Sequence, residues 1–146
     1  MEFDVEVKLS IYNYFADTGE RPAAAMIGER LNSPLKAVIE SYKRLRAQRV
    51  LVLEADDESI RMAPPFSGVP TQHAVEAGGR SYFANCAWDA LGIPAALHKT
   101  ATIVSRCEQS REPFHLAVGA VGPEKSDWLF HCVVPAAHWW DDIVFT

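Results

Sequence analysis

The chain has 146 residues, 49% of them hydrophobic, which is enough to bury one good core or two small ones. Its formal net charge of -5 argues against bulk affinity for nucleic acid, and no apolar run approaches the ~20 residues of a membrane span. Three cysteines without framework spacing, and a start that lacks a basic and then apolar leader, point to reduced thiols in a cytoplasmic protein.

In chain order, Val5, Leu9, Ile11, Tyr12 and Phe15 are read as the apolar stripe of a first helix that stops at Asp17-Thr18-Gly19. A second short helix is expected from about Pro22 to Leu31, with Met26, Ile27 and Leu31 apolar. Ser33 is placed as the cap of a third, with Pro34 in its first turn and Leu35, Val38, Ile39, Tyr42 and Leu45 at helical spacing. Strands over Val50–Leu53 and Ser59–Met62 flank the turn Ala55-Asp56-Asp57-Glu58. Three helices and a two-stranded wing over residues 1–62 describe a winged-helix-like unit. Its third helix carries Lys36, Lys43, Arg44 and Arg46, followed by Arg49, as a recognition helix would. The acidic wing at Asp56, Asp57 and Glu58 opposes that use, so the unit is expected to be a packing module and nucleic acid is not expected as a partner.

Residues 63–71, rich in proline, are expected as an extended linker with Phe66 anchoring it to a second unit over residues 72–146. There, strands are expected over His73–Ala77 and Arg80–Ala84 around a Gly78-Gly79 hairpin turn, then over Ala101–Ser105, Phe114–Val118 and Trp128–Val134. One helix from Cys86 to Leu91, stopped by Gly92, interrupts them. The fold class is therefore α+β: the winged-helix-like three-helix unit, then a small mixed or antiparallel sheet with one short helix.

That short helix carries the chemistry. Cys86 falls in its first turn, where free amides and the positive end of the dipole favour a thiolate, and Asp89 lies three residues on along the same face. Cys86 is accordingly expected to be the most reactive thiol. The competing structural reading is a buried inert cysteine beside an ordinary dipole-pairing aspartate. Alternation along Trp128–Val134 puts Cys132 on a core face. Phosphate loops and paired metal-ligand spacings are missing: Gly119–Gly122 reads as a turn, and His98, His115, His131 and His138 are scattered.

The block from Arg80 to Phe114, with Tyr82, Cys86, Asp89, Pro94, Ala95, Ser105 and Cys107, resembles the organomercurial (alkylmercury) lyases over their catalytic core. The resemblance implies that Cys86 is a catalytic thiol and the first metal ligand, that Asp89 is the proton shuttle, and that Cys107 is structural. It implies an organometal substrate and no resident cofactor, mercury(II) or another soft metal being substrate or product. External thiols, as donors or as acceptors of the mercuric ion, are the implied partners. The family's second catalytic cysteine follows a segment that here looks like His138–Thr146, and Cys132 aligns with no catalytic position. The family continues beyond that segment with another strand, so an edge open at Trp139, Trp140, Ile143 and Phe145 is expected to pair two copies into a homodimer. The alternative function is a winged-helix transcriptional regulator, or a metal or thiol sensor, whose lyase-like half is inactive.

Overall fold

The computed structural model describes residues 2–146. Helix α1 (Glu2–Thr18) buries Val7, Ile11 and Phe15, which recur every fourth residue and so share one face. Val5 and Leu9, expected in that stripe, are more than half exposed. The true face includes polar residues, which is why hydrophobicity alone misplaced it. Asp4 lies buried on it, and its carboxylate accepts from Ser41 Oγ at 2.6 Å and from Arg44 Nη2 and Nε at 2.7 and 2.9 Å. This fork pins α1 to α3 (Leu35–Ala47), with α2 (Ala24–Arg30) between them in sequence. In α2, Ile27 is buried while Met26 is exposed.

Ser33 does not cap α3. Pro34 occupies the cap position with extended backbone, its carbonyl accepting from Ala37 and Val38, while the Ser33 hydroxyl donates to the Leu31 carbonyl. Three of the four cations of α3 pair within the unit: Lys43 with Glu40 at 3.4 Å, Arg44 with Asp4 at 2.7 Å and Arg46 with Asp57 of the acidic turn at 2.5 Å.

Strands β1 (Val52–Leu53), β2 (Ile60–Ala63) and β3 (Phe66–Ser67) form an antiparallel sheet in that order. The third strand comes from the stretch expected to be an extended linker. Pro64-Pro65 instead turns the chain, so that Ala63 pairs with Phe66 and Met62 with Ser67. Phe66 is buried and stacks on Phe15 of α1 at 5.3 Å between ring centroids, with Tyr82 at 5.7 Å and Tyr12 at 6.4 Å completing an aromatic cluster.

The second sheet is antiparallel throughout, in the order β5-β4-β6-β7-β8: β4 (Ala74–Ala77), β5 (Arg80–Phe83), β6 (Ala101–Arg106), β7 (Pro113–Gly119) and β8 (Gly122–Pro123). Gly78 and Gly79 take φ of 58° and 75°, the left-handed pair that a two-residue hairpin turn needs. Ala101, Ile103 and Ser105 alternate inward along β6, and α4 (Ala87–Leu97) lies against β4 and β6 with Ala90 and Ile93 buried. The helical unit meets this sheet closely. A Cβ added to Gly19, at φ 77°, would lie 2.1 Å from the Ser81 carbonyl oxygen, and the Tyr82 hydroxyl donates to the Ala16 carbonyl at 2.7 Å.

Two expected elements differ. Gly92 does not end α4, which runs through Pro94 to Leu97 and stops at His98 in the left-handed conformation, the His98 and Lys99 amides closing the end. Gly92 is a packing position: a Cβ there would come within 3.1 Å of the Pro65 Cβ. Trp128–Val134 is not a strand but an exposed segment without regular structure, and Cys132 is exposed rather than core. Alternation cannot make a strand without a partner, and the short return strand β8 already pairs with the end of β7. The segment is held by its aromatic rings instead: Trp128 lies 4.9 Å from Phe114 and Phe130 lies 5.8 Å from Trp88. A 3₁₀ helix over Ala136–Asp141 follows. No described helix is long and apolar enough to cross a membrane.

Two stability predictions follow from these contacts. Arg44 and Ser41 hold the Asp4 carboxyl at about 2, against an unfolded value of about 3.9. A depressed carboxylate stabilises fully above its unfolded pKa and loses that contribution as pH falls through the folded one. Asp4→Asn should therefore cost roughly 1.5–3 kcal/mol at neutral pH in urea unfolding and flatten the stability slope between about pH 4 and 2. Phe66→Ala should cost about 3–5 kcal/mol, because it empties the centre of the aromatic cluster. Because Phe66 contacts both sheets' neighbours, the loss should appear in a single unfolding transition; two separated transitions would show that the junction is not shared.

Candidate functional site

The bridge between Phe66 and Ala84 joins the two sheets one residue before Asn85. There the chain leaves the strand direction and enters α4, with Cys86 as N-cap in extended backbone, φ -151° and ψ 178°. Its sulfur takes the place of the usual cap oxygen and accepts from the Asp89 backbone amide at 3.4 Å. Thiol and carboxylate are thus held on the first turn of one helix. Structure and spacing agree on this.

Charge is another matter. Burial pushes the Cys86 thiol above the ordinary cysteine range; the Asp89 and Trp88 amides pull it down, while the charges of Asp89 and Cys132 push it up. Burial and like charge outweigh the helix start, so the expected favoured thiolate is replaced by a favoured thiol. Asp89 shifts in the same sense, burial raising its carboxyl against the opposing hydrogen bond from Asn85. Both groups of the pair are therefore biased towards their protonated forms.

Two neighbours of Asp89 were not singled out from the sequence. Asn85 donates from Nδ2 to Asp89 Oδ2 at 3.0 Å and to the Phe66 carbonyl at 3.1 Å, tying the carboxyl to β3. Asn85 Oδ1 is buried and without a partner. Tyr12 of α1 is pushed up to about 12 by burial and by the charge of Asp89, and its hydroxyl donates to the Pro64 carbonyl at 3.1 Å. The asparagine four residues before the aspartate was a usable signal. Tyr12 gave none, since it comes from the far end of the chain.

Cys107 does not lie within an apolar strand. It follows β6 in a turn closed by the Arg111 amide on its carbonyl, and its sulfur accepts from the Ser110 amide at 3.5 Å. The Ser110 hydroxyl and the amides of Ser110 and Gln109 hold it below the ordinary thiol value. All three cysteines are free. Among the described residues no group of three or more His, Cys, Asp or Glu is poised around a metal position, which leaves Cys86 and Asp89 as the local pair.

The order of thiol reactivity follows. With iodoacetamide at neutral pH, Cys107 and Cys132 should label before Cys86, because the lowered pKa favours Cys107 and exposure favours Cys132. Peptide mapping by mass spectrometry reads the order, and labelling of Cys86 first would mean that burial does not control its titration.

The family model described as alkylmercury lyase matches residues 66–146, from β3 through the last described residue. A solved structure described as the mercury-bound form of MerB2 matches with a TM-score of 0.65 at 27% identity, over 84% of this chain and 60% of that one. The chain thus spans about three-fifths of that protein's length. Comparison with curated proteins gave no match.

Proposed function

The chain belongs to the alkylmercury lyase family, and from that premise we propose that it binds an organomercury compound through Cys86 and delivers a proton to the mercury-bound carbon from Asp89. The observation that carries the reading is the capped start of α4, where Cys86 and Asp89 share one turn and Asn85 fixes the carboxyl.

The residue types suit the reaction. Mercury(II) is soft, so a thiolate outcompetes carboxylate and imidazole for it. Cys86 enters as a thiol, and its S–H proton passes to the Asp89 carboxylate as the S–Hg bond forms. A second thiol, supplied from solution, adds electron density to the metal and weakens the carbon–mercury bond. Asp89 then returns its proton to carbon: the carbon–mercury bond breaks, a C–H bond forms, and mercury(II) is left between Cys86 and the small thiolate. A further small thiol then displaces Cys86, its S–Hg bond forming as that of Cys86 breaks and its proton passing to the Cys86 sulfur, and mercury(II) leaves on two small thiolates. Nothing is oxidised or reduced. A carboxyl whose pKa is raised by burial holds a proton long enough to serve as this acid. Asn85 acts as a positioning residue, since it touches the carboxyl and the Phe66 carbonyl together.

The need for reduced thiols fits three free cysteines and a cytoplasmic setting, with a small thiol as donor and final acceptor. A regulator that reads DNA through α3 would need cations open to phosphate, whereas Arg44 and Arg46 are held by Asp4 and Asp57.

The test uses a monoalkylmercury substrate with excess small thiol and a gas-chromatographic readout of released hydrocarbon. Asp89→Asn should slow release by about 10²–10⁴, the usual worth of a general acid, while melting close to wild type. Cys86→Ser should abolish both release and stoichiometric retention of the metal. Equal release by wild type and Asp89→Asn would remove the carboxylate from the mechanism.

A further inference from the structure

We propose that Thr71 is a positioning residue of this site: by its hydrogen bond to the Ala84 carbonyl it fixes the peptide that carries Asn85, and so aims the Asp89 carboxyl, resting on the role of Asp89 given above. Its own hydrogen bonds are to Ala84 and His73, not to Cys86 or Asp89. The Thr71 hydroxyl donates to the Ala84 carbonyl at 2.6 Å, while the His73 carbonyl lies at 3.5 Å, so its single proton belongs to the shorter bond. The same oxygen accepts from the His73 amide at 3.2 Å, and the Ala84 amide donates to the His73 carbonyl at 2.9 Å. Thr71 and His73 thus hold both polar groups of Ala84.

A peptide group is planar, so a restraint on the Ala84 carbonyl also restrains the nitrogen of Asn85. From there one side chain carries it to the acid. Asn85 Nδ2 donates to the Phe66 carbonyl at 3.1 Å and to Asp89 Oδ2 at 3.0 Å, which uses both of its protons. The bridge between Phe66 and Ala84 closes this ring of contacts from the other side. The brace is also anchored in the sheet. His73 Nδ1 and Ser105 Oγ lie 2.7 Å apart, and Ser105 is buried on β6, the strand beside β4. Ala84 is fully buried, so water does not stand ready to replace the Thr71 hydroxyl. Misplacing a catalytic group by about 1 Å costs on the order of 10²-fold in rate, which gives a restraint of this kind its kinetic weight.

The test is a double-mutant cycle on the full chain, with hydrocarbon release from a monoalkylmercury substrate measured under excess small thiol. Thr71→Val keeps the shape and removes the hydroxyl; it should lower kcat by about tenfold or more and leave KM unchanged, because aim and not binding is lost. Thr71→Ser should restore the rate. In an Asn85→Ala background Thr71→Val should cost nothing further, since the restraint acts through Asn85. Wild-type kcat in Thr71→Val, an equal loss in Thr71→Ser, or the full loss repeated in the Asn85→Ala background each overturns the inference. Thr71→Ala, which removes the same hydroxyl without adding a methyl, carries the cycle if the valine side chain prevents folding. A second measurement does not depend on activity: by heteronuclear NMR the Asn85 side-chain amide resonances should shift in Thr71→Val and match wild type in Thr71→Ser. Unmoved resonances in Thr71→Val overturn the inference and leave the role of Asp89 standing. A wild-type chain that releases no hydrocarbon overturns the role of Asp89, and the amide resonances then decide the brace by themselves.

Discussion

Phe66 is the constraint on which the rest of the structure depends. Its ring stacks on Phe15 from the first helix and meets Tyr82 from the second sheet, so one side chain closes the core between the N-terminal helices and the strands. Its backbone does something separate. The carbonyl accepts from Asn85, whose amide also grips the carboxylate of Asp89. Packing that stabilises the molecule and the orientation of the proposed acid thus depend on a single residue. The turn at Pro64-Pro65 brings it there, and the missing side chain at Gly92 lets the helix of the site settle against Pro65.

The electrostatics of the pair show why a helix start does not by itself make a thiolate. Backbone amides at the first turn lower a thiol pKa, but they act on a group that is already desolvated and one turn from a carboxylate. The same burial raises Asp89. Burial thus biases both groups towards their protonated forms. In the proposed reaction a soft metal changes the balance, because metal–sulfur bonding replaces the S–H bond and the carboxylate three residues on takes the proton released.

The C-terminal third shows the limits of pattern. Trp128–Val134 alternates as a strand should, yet hydrogen-bonded pairing depends on whether a neighbouring edge is free, and β8 already covers the end of β7. Its aromatic residues dock instead on Phe114 and Trp88. A cysteine that alternation assigns to the core, Cys132, lies exposed instead.

What the sequence determined by itself is what near neighbours determine: three helices from apolar spacing, a hairpin from Gly78-Gly79, the alternation of β6, and a cysteine and an aspartate on one helical turn. Each depends on residues within a few positions, where spacing translates directly into a shared face. The tertiary structure decided the rest. It set which side of α1 is buried, placed Tyr12 and Phe66 around Asp89, let α4 run past Gly92, and brought Phe130 against Trp88 of α4. It also decided the sign of the Cys86 shift. Burial and Coulomb interactions depend on distance in space, and the groups that supply them here come from helices and strands far apart along the chain.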